Sequence, residues 1–145
     1  MKTIRELLQA KGHASWSIGP DATVYEALEV MAEKNVGAVL VMESSRLVGI
    51  FSERDYARKV VLHGKASKTT LVREVMTERV MYVGPEQTAE ECMALMTDKR
   101  VRHLPVMEGG EVIGIISIGD VVKSIISEQE FLIEQLERYI TGTYP

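Results

Sequence analysis

The chain is poor in the residues that build covalent and metal scaffolds. Its one cysteine, Cys92, excludes an intramolecular disulfide and cannot form a zinc site alone. The three histidines (His13, His63 and His103) are scattered without metal-ligand spacing, so no metal is expected. Basic excess is also lacking. Lys and Arg number 17 against 21 Asp and Glu, for a net charge of −4. That balance argues against nucleic acid as a main partner, although a local basic pocket stays open. Apolar runs reach about seven residues, too short to cross a bilayer. The start, "MKTIRELLQAKG", is charged where a signal peptide needs an apolar stretch. No P-loop, nucleophile elbow or GxGxxG occurs. What is there is ordinary globular material: 145 residues, 46% hydrophobic and 26% charged, enough for a real core. The expectation is a cytoplasmic protein without membrane insertion.

The chain also contains itself twice. "GIFSERD" begins at Gly49 and "GIISIGD" at Gly114, 65 residues later. At the same offset Gly19, Pro20, Thr23, Glu26 and Met31 recur as Gly84, Pro85, Thr88, Glu91 and Met96. Val41, Met42 and Glu43 recur as Val106, Met107 and Glu108. Roughly a third of the aligned positions are identical, the mark of an internal duplication. A further echo precedes each copy, "TIRELL" from Thr3 and "LVREVM" from Leu71, at a slightly different offset.

Each copy reads alike. Gly-Pro punctuates a turn. Thr23 with Glu26, and Thr88 with Glu91, have capping-box spacing. Val24, Ala27, Leu28 and Met31 form a helical stripe. "GAVLVM", a turn at "ESSR" and "LVGIF" read as two strands. "RDYARKVVLHG" reads as a helix closed by Gly64. The fold class expected is α/β (α+β): two pseudo-symmetric β-α-β-β-α repeats packed sheet to sheet, each too small to bury both faces of its sheet. The division expected is residues 1–66 for the first repeat with an N-terminal helix, 67–127 for the second, and 128–145 for a helical extension. In that extension Leu132, Ile133, Leu136, Tyr139 and Ile140 continue the apolar spacing of Val122, Ile125 and Ile126, a surplus that suits a partner chain.

Ser52/Asp55 and Ser117/Asp120 close the two buried-looking stretches and read two ways. Ser-x-x-Asp is close to a capping box and needs no ligand. A strand running into a helix N-terminus is also an anion site, with unpaired N–H groups and a favourable dipole. There a hydroxyl can donate to phosphate, and an ionised Asp, which only accepts, suits the two hydroxyls of a ribose.

A tandem G-h-h-S-x-x-D repeat with "VGAVLV", "GIFSERD", "RHLPV" and "GIISIGD" resembles a pair of CBS domains, the Bateman module, over about residues 1–128, and most resembles stand-alone bacterial CBS-pair proteins. The family is named after cystathionine β-synthase and includes regulatory modules of IMP dehydrogenase and of the AMP-activated kinase gamma subunit. The resemblance implies AMP, ADP, ATP or NAD(H) bound in two clefts between the repeats, as ligand and not as catalytic cofactor. It implies that Asp55 and Asp120 hold ribose and that Ser52 and Ser117 meet phosphate. The base would lie against Ser17, Ile18, Val36, Gly37, Ala38 and Val39 in one copy, and Tyr82, Val83, Arg102, His103, Leu104 and Pro105 in the other. Pro105, as a proline in a strand, independently suggests a sheet edge with unpaired peptide groups. The copies are not equivalent. The first carries Arg54 and Arg58 where the second has Ile118 and Gly119 near its Ser-x-x-Asp, while the second carries Arg100, Arg102 and His103 on its strand side. A ligand with several phosphates would favour the more basic site.

The resemblance implies a regulator without chemistry of its own, working as a homodimer or through a regulated enzyme or transporter. Two rival classes stand beside it. A nucleotide hydrolase with Asp55 or Asp120 as base lacks an activated nucleophile and a metal cluster. A ligand-independent structural dimerisation module would use Ser-x-x-Asp only as a cap. Cys92 beside Met93 and Met96 reads as a small buried hydrophobe. Trp16 reads as a hydrophobic lid, and Arg73 and Glu74 as a short solvated helix.

Overall fold

In a computed structural model of the chain, residues 1–141 are described; the last four residues of the expected extension lie outside them. No helix among the described residues is long and apolar enough to cross a membrane.

The duplicated pattern folds as two β-α-β-β-α repeats. In the first, β1 (Ser17–Ile18) leads to helix α2 (Val24–Lys34), then β2 (Ala38–Glu43) and β3 (Arg46–Ser52). The strand order is β1-β2-β3, with β1 parallel and β3 antiparallel to β2. A short helix α3 (Glu53–Asp55) runs straight into a π-helical segment (Tyr56–Val61) where one α-helix was expected. In the second repeat α5 (Ala89–Lys99) precedes β4 (His103–Glu108) and β5 (Glu111–Ser117), and a single long helix α6 (Ile118–Thr141) follows.

The second copy has no counterpart of β1 beyond one bridge, Val83 to Val106. Proline explains the loss. In the first repeat Leu40 N–H donates to the Trp16 carbonyl at 2.9 Å. Its counterpart at the repeat offset is Pro105, which has no N–H to give. The edge expected at Pro105 is therefore only partly open: β5 pairs with it on one side, and its carbonyl accepts from Val83 N–H at 3.0 Å on the other.

The hairpin turns differ too. Gly109 and Gly110 take positive φ values of 60° and 81° at no steric cost, whereas Ser44 and Ser45 hold 52° and 64° with side chains attached. At the helix starts, Thr23 and Thr88 each accept from the N–H of the Glu three residues on, at 3.1 Å, but the return arm of the expected capping box is not made. The next helical N–H groups find backbone partners instead, Val24 on Thr70 at 2.9 Å and Ala89 on Lys2 at 3.0 Å.

Those two bonds reveal how the echo segments pack. The chain divides into two compact units, Ala14–Met81 and Met1–His13 joined with Tyr82 onward. Helix α4 (Val72–Val75) covers the first repeat, burying Val72 and Val75 with Val24, Val39, Val41 and Phe51. The N-terminal helix α1 (Ile4–Lys11), grouped in sequence with the first repeat, packs in the second unit, burying Ile4, Leu7 and Leu8 with Cys92, Leu104, Val106 and Ile116. Arg5 ion-pairs with Glu86 at 2.8 Å and with Glu108, while Arg73 pairs with Asp21 at 3.0 Å and Glu43 at 3.3 Å. These acids are counterparts in the duplication, so α1 and α4 are equivalent braces. Gly49 and Gly114 show the same closeness: a Cβ on Gly49 would stand 2.5 Å from Met76 Sδ, and one on Gly114 2.8 Å from Leu8 Cδ2.

Candidate functional site

Ser-x-x-Asp sits where a buried strand turns into a helix, in both units. Ser52 has extended backbone and caps α3; its hydroxyl accepts from Asp55 N–H at 3.2 Å, and Asp55 Oδ2 accepts back from Ser52 N–H at 3.0 Å. The second copy repeats this, with Asp120 N–H to Ser117 Oγ at 3.2 Å and Ser117 N–H to Asp120 Oδ2 at 2.8 Å. The local reading of the motif is therefore realised in full: both are capping boxes.

The remaining carboxylate valence is used differently in the two units. Asp55 is 8% exposed, and its Oδ1 takes Thr77 Oγ1–H at 3.1 Å and the Lys59 ammonium at 3.1 Å. Asp120 is met by Lys11 Nζ at 2.5 Å, which also donates to the Ile115 carbonyl at 2.7 Å. Burial alone would raise the Asp120 pKa. The hydrogen bond from Lys11, the Ser117 backbone N–H and the lysine charge outweigh it and hold the carboxyl below its ordinary value. Burial pushes the Cys92 thiol the other way, to about 11, aided by Glu91.

A second backbone tie is shared. Glu53 N–H donates to the Gly37 carbonyl at 3.0 Å, and Ile118 N–H donates to Arg102 at 2.8 Å. It fastens the residues leading into each central strand to the helix N-terminus. So Val36, Gly37, Ala38 and Val39 stand beside Ser52 and Asp55, with Ala38 opposite Ser52 in register. Arg102, His103, Leu104 and Pro105 stand likewise beside Ser117, Ile118 and Asp120, with His103 opposite Ser117. Val39 and Leu104 are wholly buried. Ser17 and Ile18 pair with Leu40 and Val41, one step along the strand. Tyr82 is 61% exposed and Val83 1%. Arg54 is half-buried and Arg58 exposed. Arg100 holds left-handed backbone at the end of α5, as Asn35 does at the end of α2, so its place is a helix terminus. Trp16 is 38% exposed, with Lys34 Nζ 4.6 Å from its ring centre.

Lys59, Thr77 and Lys11 escaped sequence reasoning. Lys59 was within reach, lying four residues after Asp55 on a helix. Thr77 and Lys11 follow the echo segments, and nothing local marks them. Among the described residues no group of three or more His, Cys, Asp or Glu could hold a metal.

The architecture thus defines a tandem module: two equivalent repeats, each presenting a capped helix N-terminus beside a strand start. The CBS-domain family matches residues 15–62 and 72–127, and the chain belongs to that family. CBS domains are regulatory modules, not catalysts, and this chain is a regulatory module of that kind. It is similar to the mitochondrial CBS domain-containing protein CBSX3 of Arabidopsis thaliana, 41% identical over 98% of this chain and 73% of that one. It spans only 25% of the Arabidopsis protein CBSCBSPB2, to which it is 36% identical. Among solved structures it resembles the CBS domain NE2398 (54% identity, TM-score 0.83, 86% of this chain and 98% of that one). A CBS-domain protein from Burkholderia ambifaria MC40-6 is 50% identical with TM-score 0.85, over 88% and 96% of the two chains. The CBS pair of protein MJ0100, in complex with 5′-methylthioadenosine and S-adenosyl-L-methionine, shares the fold at 18% identity and TM-score 0.78.

Proposed function

We propose that the chain is a stand-alone, cytoplasmic CBS pair that binds AMP, ADP, ATP or NAD(H) at its two Ser-x-x-Asp junctions and signals through a homodimer or a regulated partner. The twice-repeated junction supports this reading. Two tied-down segments and a helix N-terminus meet there with a hydroxyl and a carboxylate, the groups that a phosphate and a ribose call for. The adenosine ligands of MJ0100 are in keeping with it, although that likeness is one of fold.

Both carboxylates already have partners, so a ribose must compete with Thr77 and Lys59 at Asp55, and with Lys11 at Asp120. A lysine displaced from its carboxylate remains a cation at the site, suited to a ligand's phosphates. The complete capping boxes equally suit a ligand-independent structural module, and one experiment divides the two. A nucleotide panel is followed by melting and calorimetry. Adenine ligands should raise the melting temperature more than GTP or CTP, by the equivalent of about 2.7 kcal/mol at a hundredfold excess over Kd. The 2′,3′-dideoxy analogue should bind about ten- to a hundredfold more weakly, for loss of bonds contributing about 1.5–3 kcal/mol. An analogue as tight as its parent would remove the ribose role from both aspartates. A flat response to every adenine ligand would leave the structural module.

A further inference from the structure

The two Ser-x-x-Asp carboxylates differ in how much of their acceptor capacity is spent. An ionised carboxylate accepts at about four positions, two on each oxygen. Asp55 has both oxygens doubly used. Its Oδ2 takes the Ser52 N–H at 3.0 Å and the Ser52 hydroxyl at 3.1 Å. Its Oδ1 takes the Thr77 hydroxyl and the Lys59 ammonium, each at 3.1 Å. At Asp120 the bonds converge on one oxygen instead. The Ser117 N–H and the Lys11 ammonium both reach Oδ2, and among the described residues no hydrogen bond reaches Oδ1. Lys11 is anchored where it stands by its second bond, to the Ile115 carbonyl at 2.7 Å. The residue four places on, Lys59 in the first repeat, is Ser124 here, and its buried hydroxyl has no partner among the described residues, so it does not fill Oδ1 either.

We propose that the second junction is the tighter nucleotide site and that Thr77 and Lys59 latch the first, so that the two fill in order, Asp120 before Asp55. This rests on the nucleotide reading above and adds which junction fills and what holds the other shut. At Asp120 a first ribose hydroxyl finds Oδ1 open, and only the second competes with Lys11. At Asp55 each hydroxyl must evict a donor already in place, and hydrogen bonds to a charged group are the stronger kind. Thr77 is the harder of the two to evict. Its N–H donates to the Ile50 carbonyl at 2.8 Å and its carbonyl accepts from the Ile50 N–H at 3.0 Å, so its hydroxyl is fixed by paired backbone. In the second unit the counterpart carbonyl, Ile115, is met by a flexible lysine side chain instead. Lys59 ends a mobile stem and leaves more easily. A chain built this way responds at two thresholds: one junction occupied at low ligand concentration, both at high.

Calorimetric titration of the full chain with AMP, and with ATP in parallel, tests the order. Wild type should show a tight and a weak phase, about tenfold or more apart in Kd. Asp120→Asn should abolish the tight phase. Thr77→Val keeps the shape and leaves Lys59 on the charge, while Lys59→Met keeps Thr77, and melting curves report whether each variant is folded. Either change should tighten the weak phase, by about three- to tenfold, because it removes a competitor for Asp55. A contact that only supported the fold would give no such gain. Two wild-type phases of equal affinity, loss of the tight phase in Asp55→Asn instead of Asp120→Asn, or a weak phase that neither latch variant tightens would each overturn the order and leave the nucleotide reading standing. If neither AMP nor ATP binds, the order falls together with that reading.

Discussion

The same four-residue motif is locked in two different ways. The Asp55 side chain is 10% exposed and is held from close by, by Lys59 one helical turn on and by Thr77 from the segment that follows the repeat. The Asp120 side chain is 25% exposed and is held from far away, by Lys11, 109 residues earlier in the chain. The difference traces to single positions. The counterpart of Lys59 in the second repeat is Ser124, whose hydroxyl is buried and makes no hydrogen bond among the described residues. With serine at the position of Lys59, the second motif takes its ammonium from α1. Duplication thus preserved the cap, which is local, and let its charge partner drift, because any ammonium arriving from any segment satisfies a carboxylate.

Removing the braces should separate the units most. Leu8 is wholly buried under β5, whereas its counterpart Met76 is only partly so. Leu8→Ala should cost about 2–5 kcal/mol in a denaturant melt and Met76→Ala less, since the cost follows the cavity left behind. Equal losses would mean that α1 and α4 are interchangeable supports. A smaller effect is expected from Gly49→Ala and Gly114→Ala, about 1–3 kcal/mol each from overpacking. Here the order reverses. A Cβ on Gly49 also stands 3.1 Å from the Thr77 carbonyl, which is backbone paired with Ile50, while on Gly114 it meets only leucine methyl and methine carbons. Chemical denaturation finding Gly114→Ala the worse of the two would contradict that.

The smallest effect is electrostatic. Asp120 is held below its ordinary pKa of 3.8 in the fold, so its contribution is present at pH above 3.8 and lost as pH falls through the lowered value. Lys11→Met removes the main lowering partner. The acid-unfolding midpoint should then move to higher pH, with a neutral-pH loss of about 1 kcal/mol or less because the pair is partly solvated. Lys59→Met leaves Thr77 donating to Asp55 and should cost less still. An acid titration in which Lys11→Met coincides with wild type would show that the Ser117 cap alone holds the carboxylate.

Much of this was legible in the residues. The repeat, the strand–helix order and the Ser-x-x-Asp junctions follow from periodicity and punctuation, which act over a few residues. The buried Val24, Ala27 and Met31 stripe follows likewise. Four features were not legible. Pro105 was read as marking an open edge, but its missing N–H acts by shrinking the neighbouring strand. The π-helical turn after Asp55 carries no signature in "YARKVV". The packing of α1 in the second unit is a choice between two similar surfaces, and composition does not rank them. The two readings of Ser-x-x-Asp were set against each other, yet a carboxylate that completes a cap keeps acceptor capacity for other donors, so the readings are compatible. For that reason an Asp55→Ala or Asp120→Ala chain should lose about 0.5–2 kcal/mol of stability in its own right, and the melting point without ligand does not separate them.

The placement of α1 also sets an order of assembly. Residues 14–81 form a contiguous unit, and during synthesis every contact within it is available once the chain has passed Met81. Helix α1 leaves the ribosome earlier, but its partners Gly114, Ile115 and Asp120 are made more than a hundred residues later. Until then its apolar stripe of Ile4, Leu7 and Leu8 has no native surface to cover. The unit completed last is therefore closed by the segment made first, and its folding carries the loop-closure delay that the other unit escapes.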